Sequence, residues 1–207
     1  MFKKYILFTG LISLLAIASS FAQAVDASKK PSKKDYGKSF FEKDSIHVIR
    51  INFTQCNFWD SLTTNKKLLD SLEISNYLQA NVIIDNKKFF STGVRFKGES
   101  SYDFYPGKKK PFRIKFNKFI KGQDFKGLEE LNLTNNFKDP SMMREKLYLD
   151  LLNKEGLPAP RATYAKVYIN DKYWGLYLVN ESIDKVFLET RFKTSSGNLF
   201  QGEPQAN

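Results

Sequence analysis

A lysine-rich stretch, KKKPFRIKFNKFIKG, holds the residues of this sequence that are best suited to binding a charged ligand. It spans residues 108–122 and contains no Asp or Glu; its cations are Lys108, Lys109, Lys110, Arg113, Lys115, Lys118 and Lys121. Apolar residues alternate with Arg113 and Lys115, which predicts a strand with one buried face. Residues two apart on a strand share a face. We therefore expect Arg113 and Lys115 to point the same way, as a pair of cations suited to phosphate oxygens.

A turn with the sequence KGESS, residues 97–101, ends the strand before this stretch. Turns of this kind bring backbone N–H groups close to phosphate oxygens. Lys97, Gly98 and Ser100 are therefore candidates for phosphate contacts. A single glycine is a weak signal, because most such turns only reverse the chain.

The segment KDPSMMREKLYLDLLNKEGLPAP predicts a helix with Asp139 as its N-cap, Pro140 in its first turn and Gly156 at its end. Its many leucines predict that the helix is buried. A carboxylate on a buried helix is costly unless a cation meets it. We therefore predict that Glu145 pairs with Lys115, with Arg113 on the same side of the sheet. The alternative is that Glu145 faces solvent.

The elements that position these residues are strands with few helices between them. HVIRINF and a hairpin turning at Asp85-Asn86 precede the lysine-rich strand, and ATYAKVYIN and YWGLYLVNE follow the helix. SIDKVFLETRF predicts a last helix. This order predicts an α+β fold, with a mostly antiparallel sheet, one buried helix and a helix after the last strand.

The start of the chain predicts export. A basic start, an apolar run over residues 5–17 and the sequence AQA predict a signal peptide of residues 1–24. The run is too short to cross a bilayer, and we predict no membrane span after cleavage. Residues 25–44 are predicted as a disordered basic leader and residues 45–207 as a folded lobe. The single cysteine, Cys56, excludes an intramolecular disulfide.

The formal net charge of +11 favours an anionic partner, such as nucleic acid, an acidic envelope polymer or a phosphorylated ligand. Nucleic acid is not expected, since a secreted protein rarely meets it. The predicted location is outside the cell or in the cell envelope.

Six ordered segments between residues 45 and 200 resemble the CotH family of spore-coat and secreted kinase-like proteins. They are GVRFKGESS, KKPFRIKFNKF, GLEELNLTNNFKDPSMMREKL, GLPAPRATYAKVYIN, YWGLYLVNESIDKVFL and GNLF. The resemblance implies a fold like the N-terminal lobe of a protein kinase. It also implies ATP and Mg²⁺ as cofactors and a secreted or surface protein, phosphorylated on serine or threonine, as substrate.

The resemblance further implies roles for particular residues. Lys115 resembles the family's phosphate-binding lysine and Glu145 its helix partner, which makes these two the candidate catalytic residues. The residues implied to contact ATP are Lys97, Gly98, Ser100, Arg113, Lys115 and, near the adenine, Glu181. Glu99 departs from the family, which usually has Asn there, and it places an anion where phosphates would approach.

The family's catalytic and metal-binding aspartates lie beyond the GNLF segment, and this sequence stops at Asn207. We therefore expect the Mg²⁺ ligands outside this chain, as in a truncated copy or the first part of a longer protein. Whether the chain is an active kinase is left open. One alternative is a non-catalytic cell-surface or coat scaffold, and another is a basic module that binds acidic polymers.

Overall fold

The computed structural model describes residues 35–43 and 45–200. The predicted signal peptide and residues 25–34 of the predicted leader lie outside these residues. The elements follow in the order α1 (Lys38–Phe41), β1 (His47–Asn52), α2 (Phe58–Leu72), β2 (Leu78–Ile84), β3 (Lys87–Phe96), α3 (Ser100–Asp103), β4 (Phe112–Lys115), β5 (Glu130–Thr134), α4 (Arg144–Lys154), β6 (Ala162–Ile169), β7 (Lys172–Glu181) and α5 (Lys185–Phe192).

The strands close into a barrel in the order β1-β2-β3-β4-β5-β7-β6. Neighbouring strands are antiparallel, except that β1 runs parallel to β6 and closes the barrel. The predicted α+β fold, with a mostly antiparallel sheet resembling a kinase lobe, is therefore wrong: the protein is a mixed barrel with few helices. The alternation of apolar and polar residues along each strand predicted which residues face inward. This pattern could not predict that the sheet closes into a barrel, because the β1–β6 pairing joins segments that are far apart in sequence.

The barrel interior is filled by large apolar side chains from every strand. The inward-facing residues that are almost completely buried include Ile49, Val82, Phe96, Phe112, Ile114, Leu133, Val167 and Tyr177. Aromatic rings meet across the interior, as between Phe96 and Phe112, whose centroids lie 5.2 Å apart. Residues between these positions point outward, so the core fixes which side chains the outer surface presents.

Helix α4 lies on the outside of the barrel, and the prediction that it is buried is wrong. Leu149 packs with Leu178 on β7, but Leu147, Tyr148 and Leu151 are each more than half exposed. A helix packed on one side buries only a narrow stripe, and these three residues lie outside that stripe. The prediction counted the leucines without separating the faces on which they lie.

The start of α4 also differs from the prediction. The helix begins at Arg144 rather than in the turn that contains Pro140. Asp139 still satisfies a backbone N–H group at the start of the helix, because its carboxylate accepts a hydrogen bond from the Arg144 backbone N–H at 2.8 Å. The left-handed backbone of Met142, with φ 58°, separates the two segments and prevents an earlier start.

Helix α1 lies within the predicted leader and covers one end of the barrel. Phe40 and Phe41 are buried in the core. The buried His47 lies between two acceptors: its Nε2 is 2.9 Å from the Phe40 carbonyl oxygen, and its Nδ1 is 2.9 Å from Asp85 Oδ2. The end of the predicted leader is thereby tied to β1 and to the β2–β3 turn.

Several local predictions are confirmed. The β2–β3 hairpin turns at Asp85, and the last helix, α5, is capped by Asp184, which accepts from two backbone N–H groups. None of the helices in the described part of the chain is long and apolar enough to cross a membrane.

Replacing Ile51 tests the closure of the barrel. Ile51 on β1 is fully buried and pairs with both β2 and β6. We expect Ile51→Ala to lower the free energy of unfolding by about 2–5 kcal/mol, because the cavity lies inside a closed core. Urea denaturation of the form that begins at Val25 measures this loss. The half-exposed Ile46 supplies the control, since Ile46→Ala should change stability by only about 0.5 kcal/mol. Equal, small losses for both variants would show that β1 does not close the barrel.

Candidate functional site

Four cations lie on the outer face of neighbouring strands β3 and β4, and we call them the outer basic face. They are Arg95, Lys97, Arg113 and Lys115. Arg95 stands opposite Arg113 in the strand register. The backbone N–H of Lys97 donates to the Pro111 carbonyl at 3.1 Å, which continues the pairing beyond the end of β3. The inward-facing core residues on both strands fix these four side chains on the outer surface.

Lys115 pairs with a glutamate that the sequence did not predict as its partner. Its Nζ lies 2.8 Å from Glu130 Oε1, and Arg113 Nε lies 3.7 Å from Glu130 Oε2. The prediction that Arg113 and Lys115 share a side is therefore confirmed. The predicted ion pair between Lys115 and Glu145 is wrong, because the β4–β5 register puts Glu130 directly opposite Lys115.

Glu130 is held in its ionised form. Burial raises the pKa of its carboxyl group, but the hydrogen bond from Lys115 and the charge of Arg113 outweigh burial and bring the pKa below its usual value. Ser182 adds a hydrogen bond to Oε2 at 3.2 Å. In turn, the bond to Glu130 raises the pKa of Lys115. Glu130 therefore neutralises part of the charge on this half of the outer basic face.

Glu145 sits on the first turn of α4, above β5 and β7. Its Oε1 accepts from Asn180 Nδ2 at 2.8 Å, and its Oε2 accepts from Thr134 Oγ1 at 3.2 Å. Both partners are neutral, so the carboxylate has no bonded cation among the residues described. Its negative charge acts at longer range on Lys97 and favours the protonated form of that lysine.

Lys97 is a cation without a bonded partner. It is only partly exposed, and its ammonium forms no ion pair or hydrogen bond with any described residue. Burial lowers the pKa of Lys97 to about 8; Arg113 and Arg95 lower it further, against the raising effect of Glu145. The protonated form is thus destabilised in the folded protein. An anion bound here would supply the missing counter-charge.

The KGESS turn is held against the sheet by an asparagine that the sequence did not indicate. The buried Asn135 donates through Nδ2 to the carbonyl oxygens of Ser101 and Lys109, both at 3.0 Å. Gly98 has a φ of 76°, and a Cβ there would collide with Ser101 Oγ. Ser100 is exposed and begins the short helix α3. The turn therefore has a defined shape beside Lys97, as its predicted role requires.

Glu181 lies away from solvent, between two arginines. Its Oε2 accepts from the Arg191 guanidinium at 2.7 Å and from the Arg161 backbone N–H at 2.7 Å, and its Oε1 accepts from the Arg161 guanidinium. The side chain is 2% exposed. These contacts tie the end of β7 to the start of β6 and to α5. They leave the carboxylate no free face for the predicted contact near an adenine.

Arg95, Glu130 and Asn180 belong to this site and were not predicted. The sequence could have placed Arg95 at the site, because Arg95 precedes Lys97 by two positions on an alternating strand and so shares its face. The sequence could not have placed Glu130 and Asn180 there, since their positions depend on which strands pair and in which register. Asp184 caps α5, and burial raises the pKa of its carboxyl group.

The chain belongs to the CotH kinase protein family. The family's model matches residues 94–207, more than half of the chain. This range includes the whole outer basic face, α4 and the strands that carry Glu130, Asn180 and Glu181. The resemblance predicted from residue 45 is thus confirmed from residue 94 onward.

A curated relative supports the same assignment. The inner spore coat protein H of Bacillus subtilis (strain 168) is 36% identical over 115 residues, which is 56% of this chain. The match covers 30% of the relative's length. The chain thus resembles a spore coat protein over a minor part of that protein.

Replacing Glu181 separates a structural role from a role in ligand binding. We expect Glu181→Gln to lower the free energy of unfolding by about 3–5 kcal/mol, because two arginines lose their buried counter-charge. The affinity of the folded protein for ATP should not change. Thermal denaturation and calorimetric titration measure the two quantities. The exposed Glu155 provides the control, and Glu155→Gln should alter neither. Unchanged stability with weakened ATP binding would instead support the contact near the adenine.

Proposed function

We propose that this protein is the ATP-binding part of an exported protein kinase of the CotH family, and that it binds the triphosphate on its outer basic face. One observation carries the proposal: Lys97 holds a partly buried positive charge with no bonded partner, beside two arginines. Arg95 adds a buried Nε without an acceptor. A polyphosphate would satisfy both groups.

The side chains of the outer basic face would have different roles in binding ATP. Lys97 would donate to phosphate oxygens, and Arg113 and Arg95 would add charge on the same face. Glu145, fixed by Asn180 and Thr134, would keep Lys97 protonated when the anion arrives. Lys115 has a smaller role than the sequence predicted, because Glu130 already neutralises it. The KGESS turn, with Gly98 and Ser100, lies beside Lys97 and would approach the phosphates from one side.

Bound ATP would supply the phosphoryl group for transfer to serine or threonine of a secreted or surface protein. Residues 35–43 and 45–200 contain no group of three or more His, Cys, Asp or Glu side chains that could hold a metal ion, so the expected Mg²⁺ has no such ligand set among the described residues. We therefore assign no step to the metal here. Lys97, Arg113 and Arg95 would bind and orient the nucleotide.

A second candidate is a non-catalytic scaffold in a coat or at the cell surface. The curated relative carries a coat-protein name, and a structural role in a coat would need no nucleotide. The two candidates differ in how they account for Lys97. Nucleotide binding explains an unpaired, partly buried lysine between arginines, whereas a structural role in a coat does not require one.

Titration with ATP, ADP and adenosine tests the phosphate site. Few and partly solvated contacts predict an affinity for ATP of roughly high micromolar to millimolar. Lys97→Ala should weaken ATP binding about tenfold, because it removes a charge-assisted hydrogen bond, and should leave adenosine binding unchanged. Lys115→Ala should have a smaller effect.

The exposed Lys166 on β6 serves as the matched control, and Lys166→Ala should bind ATP like the parent. If the parent binds adenosine and ATP equally well, the outer basic face does not recognise phosphate. The scaffold would then be the better account of the protein.

The depressed pKa of Lys97 predicts a pH dependence of binding. Only the protonated lysine attracts phosphate, so ATP affinity should fall as the pH rises through about 8. The phosphate itself contributes little to this change, since its second pKa is about 6. Arginine stays charged in this range, so Lys97→Arg should remove the dependence. Calorimetry between neutral and alkaline pH measures it, and a parent profile identical to that of Lys97→Arg would contradict the assignment.

A further inference from the structure

We propose that one end of the barrel docks on an anionic lipid surface. The docking surface consists of the start of β3 and the loop between β4 and β5, and we call it the barrel-end patch. Its apolar members are Phe90, Phe119 and Ile120, and its cations are Lys88, Lys118 and Lys121. It is separate from the outer basic face in the residues it uses.

The two segments of the patch are held together by one side chain. Gln123 donates through Nε2 to the Phe90 carbonyl oxygen at 3.0 Å and to the Phe116 carbonyl oxygen at 2.8 Å. Lys118 packs its stem over Gly93 on β3, where a Cβ would clash with it. The loop is thereby fixed beside the middle of β3. The Gln123 backbone N–H also donates to the Ile120 carbonyl oxygen at 3.2 Å, which ties the apolar part of the loop to the residue that contacts Phe90.

The apolar members of the patch are exposed to solvent. Phe90 is 59% exposed, Phe119 46% and Ile120 42%. Apolar side chains grouped on a surface commonly mark an interaction site, unlike those scattered singly. Gly122 follows them at the loop tip, and a Cβ there would meet nothing within 4 Å. The loop backbone at Gly122 is therefore open to solvent.

The charge of the patch is not neutralised within the protein. In the part of the chain that the structure describes, Lys88, Lys118 and Lys121 form no ion pair. No carboxylate belongs to the patch itself; the two carboxylates of the same loop, Asp124 and Glu129, lie further along the chain, towards β5. The six residues of the patch therefore carry three lysines and no acidic side chain.

This combination fits an anionic bilayer better than an acidic protein or polymer. Apolar tips enter the boundary between headgroups and acyl chains, while flanking lysines remain at the level of the headgroups. An acidic polymer would meet the lysines but would leave Phe119 and Ile120 in water. The lipid surface is the partner that uses both features of the patch.

Vesicle sedimentation tests the proposal. The form that begins at Val25 is used, so that the apolar run of residues 5–17 does not contribute. It should bind phosphatidylcholine vesicles that contain phosphatidylglycerol and should not bind phosphatidylcholine alone. Lys118→Gln with Lys121→Gln should weaken binding about fivefold for each lysine. Phe119→Ser with Ile120→Ser should weaken it about tenfold or more, because the buried apolar area is lost.

Matched controls come from elsewhere on the barrel. Phe104 is 73% exposed outside the patch, and Lys166 and Lys172 are exposed on β6 and β7. Phe104→Ser, and Lys166→Gln with Lys172→Gln, should bind vesicles like the parent, with circular dichroism confirming that all variants fold. Equal binding to neutral vesicles, or no effect of the Phe119 and Ile120 changes, would overturn the proposal. Binding to polyglutamate without binding to vesicles would also overturn it, in favour of an acidic polymer.

Discussion

The parallel pairing of β1 with β6 is the contact on which the rest of this structure depends. It joins the first strand to a strand more than a hundred residues later, with His47 opposite Ala165 and Ile51 opposite Ile169. Closure leaves the barrel without free sheet edges and gives its apolar side chains a shared interior. Once the interior is closed, every second residue must face outward. The outer surfaces that could bind ligands are consequences of this constraint.

The distribution of charge on the outer basic face depends on where two carboxylates lie relative to its four cations. Glu130 bonds to Lys115 and lies close to Arg113, whereas Glu145 bonds to neutral side chains and acts on Lys97 only at a distance. One half of the face is therefore partly neutralised, whereas Lys97 in the other half has no bonded counter-charge. The uncompensated half includes Lys97, the first residue of the KGESS turn, in which Ser100 is exposed.

Family membership and the fold cover different parts of the chain. The family match begins at residue 94, close to the end of β3. β1, β2 and most of β3 precede it, yet they complete the barrel and enclose its core. The matched region thus carries the candidate site, and the preceding region supplies the strands that hold it in place. Without the strands before residue 94, the barrel would not close, and the site's side chains would not be directed outward.

The sequence by itself determined the strands, their inward and outward faces, the hairpin at Asp85 and the family, because these depend on local periodicity, turn chemistry and ordered motifs. It also determined that Arg113 and Lys115 share a face. Tertiary structure alone decided the barrel and the partners of the charged residues. Strand pairing and register are set by contacts between distant segments, and a shift in register changes which residue stands opposite. For this reason Lys115 meets Glu130, while Lys97 is left as the cation without a partner.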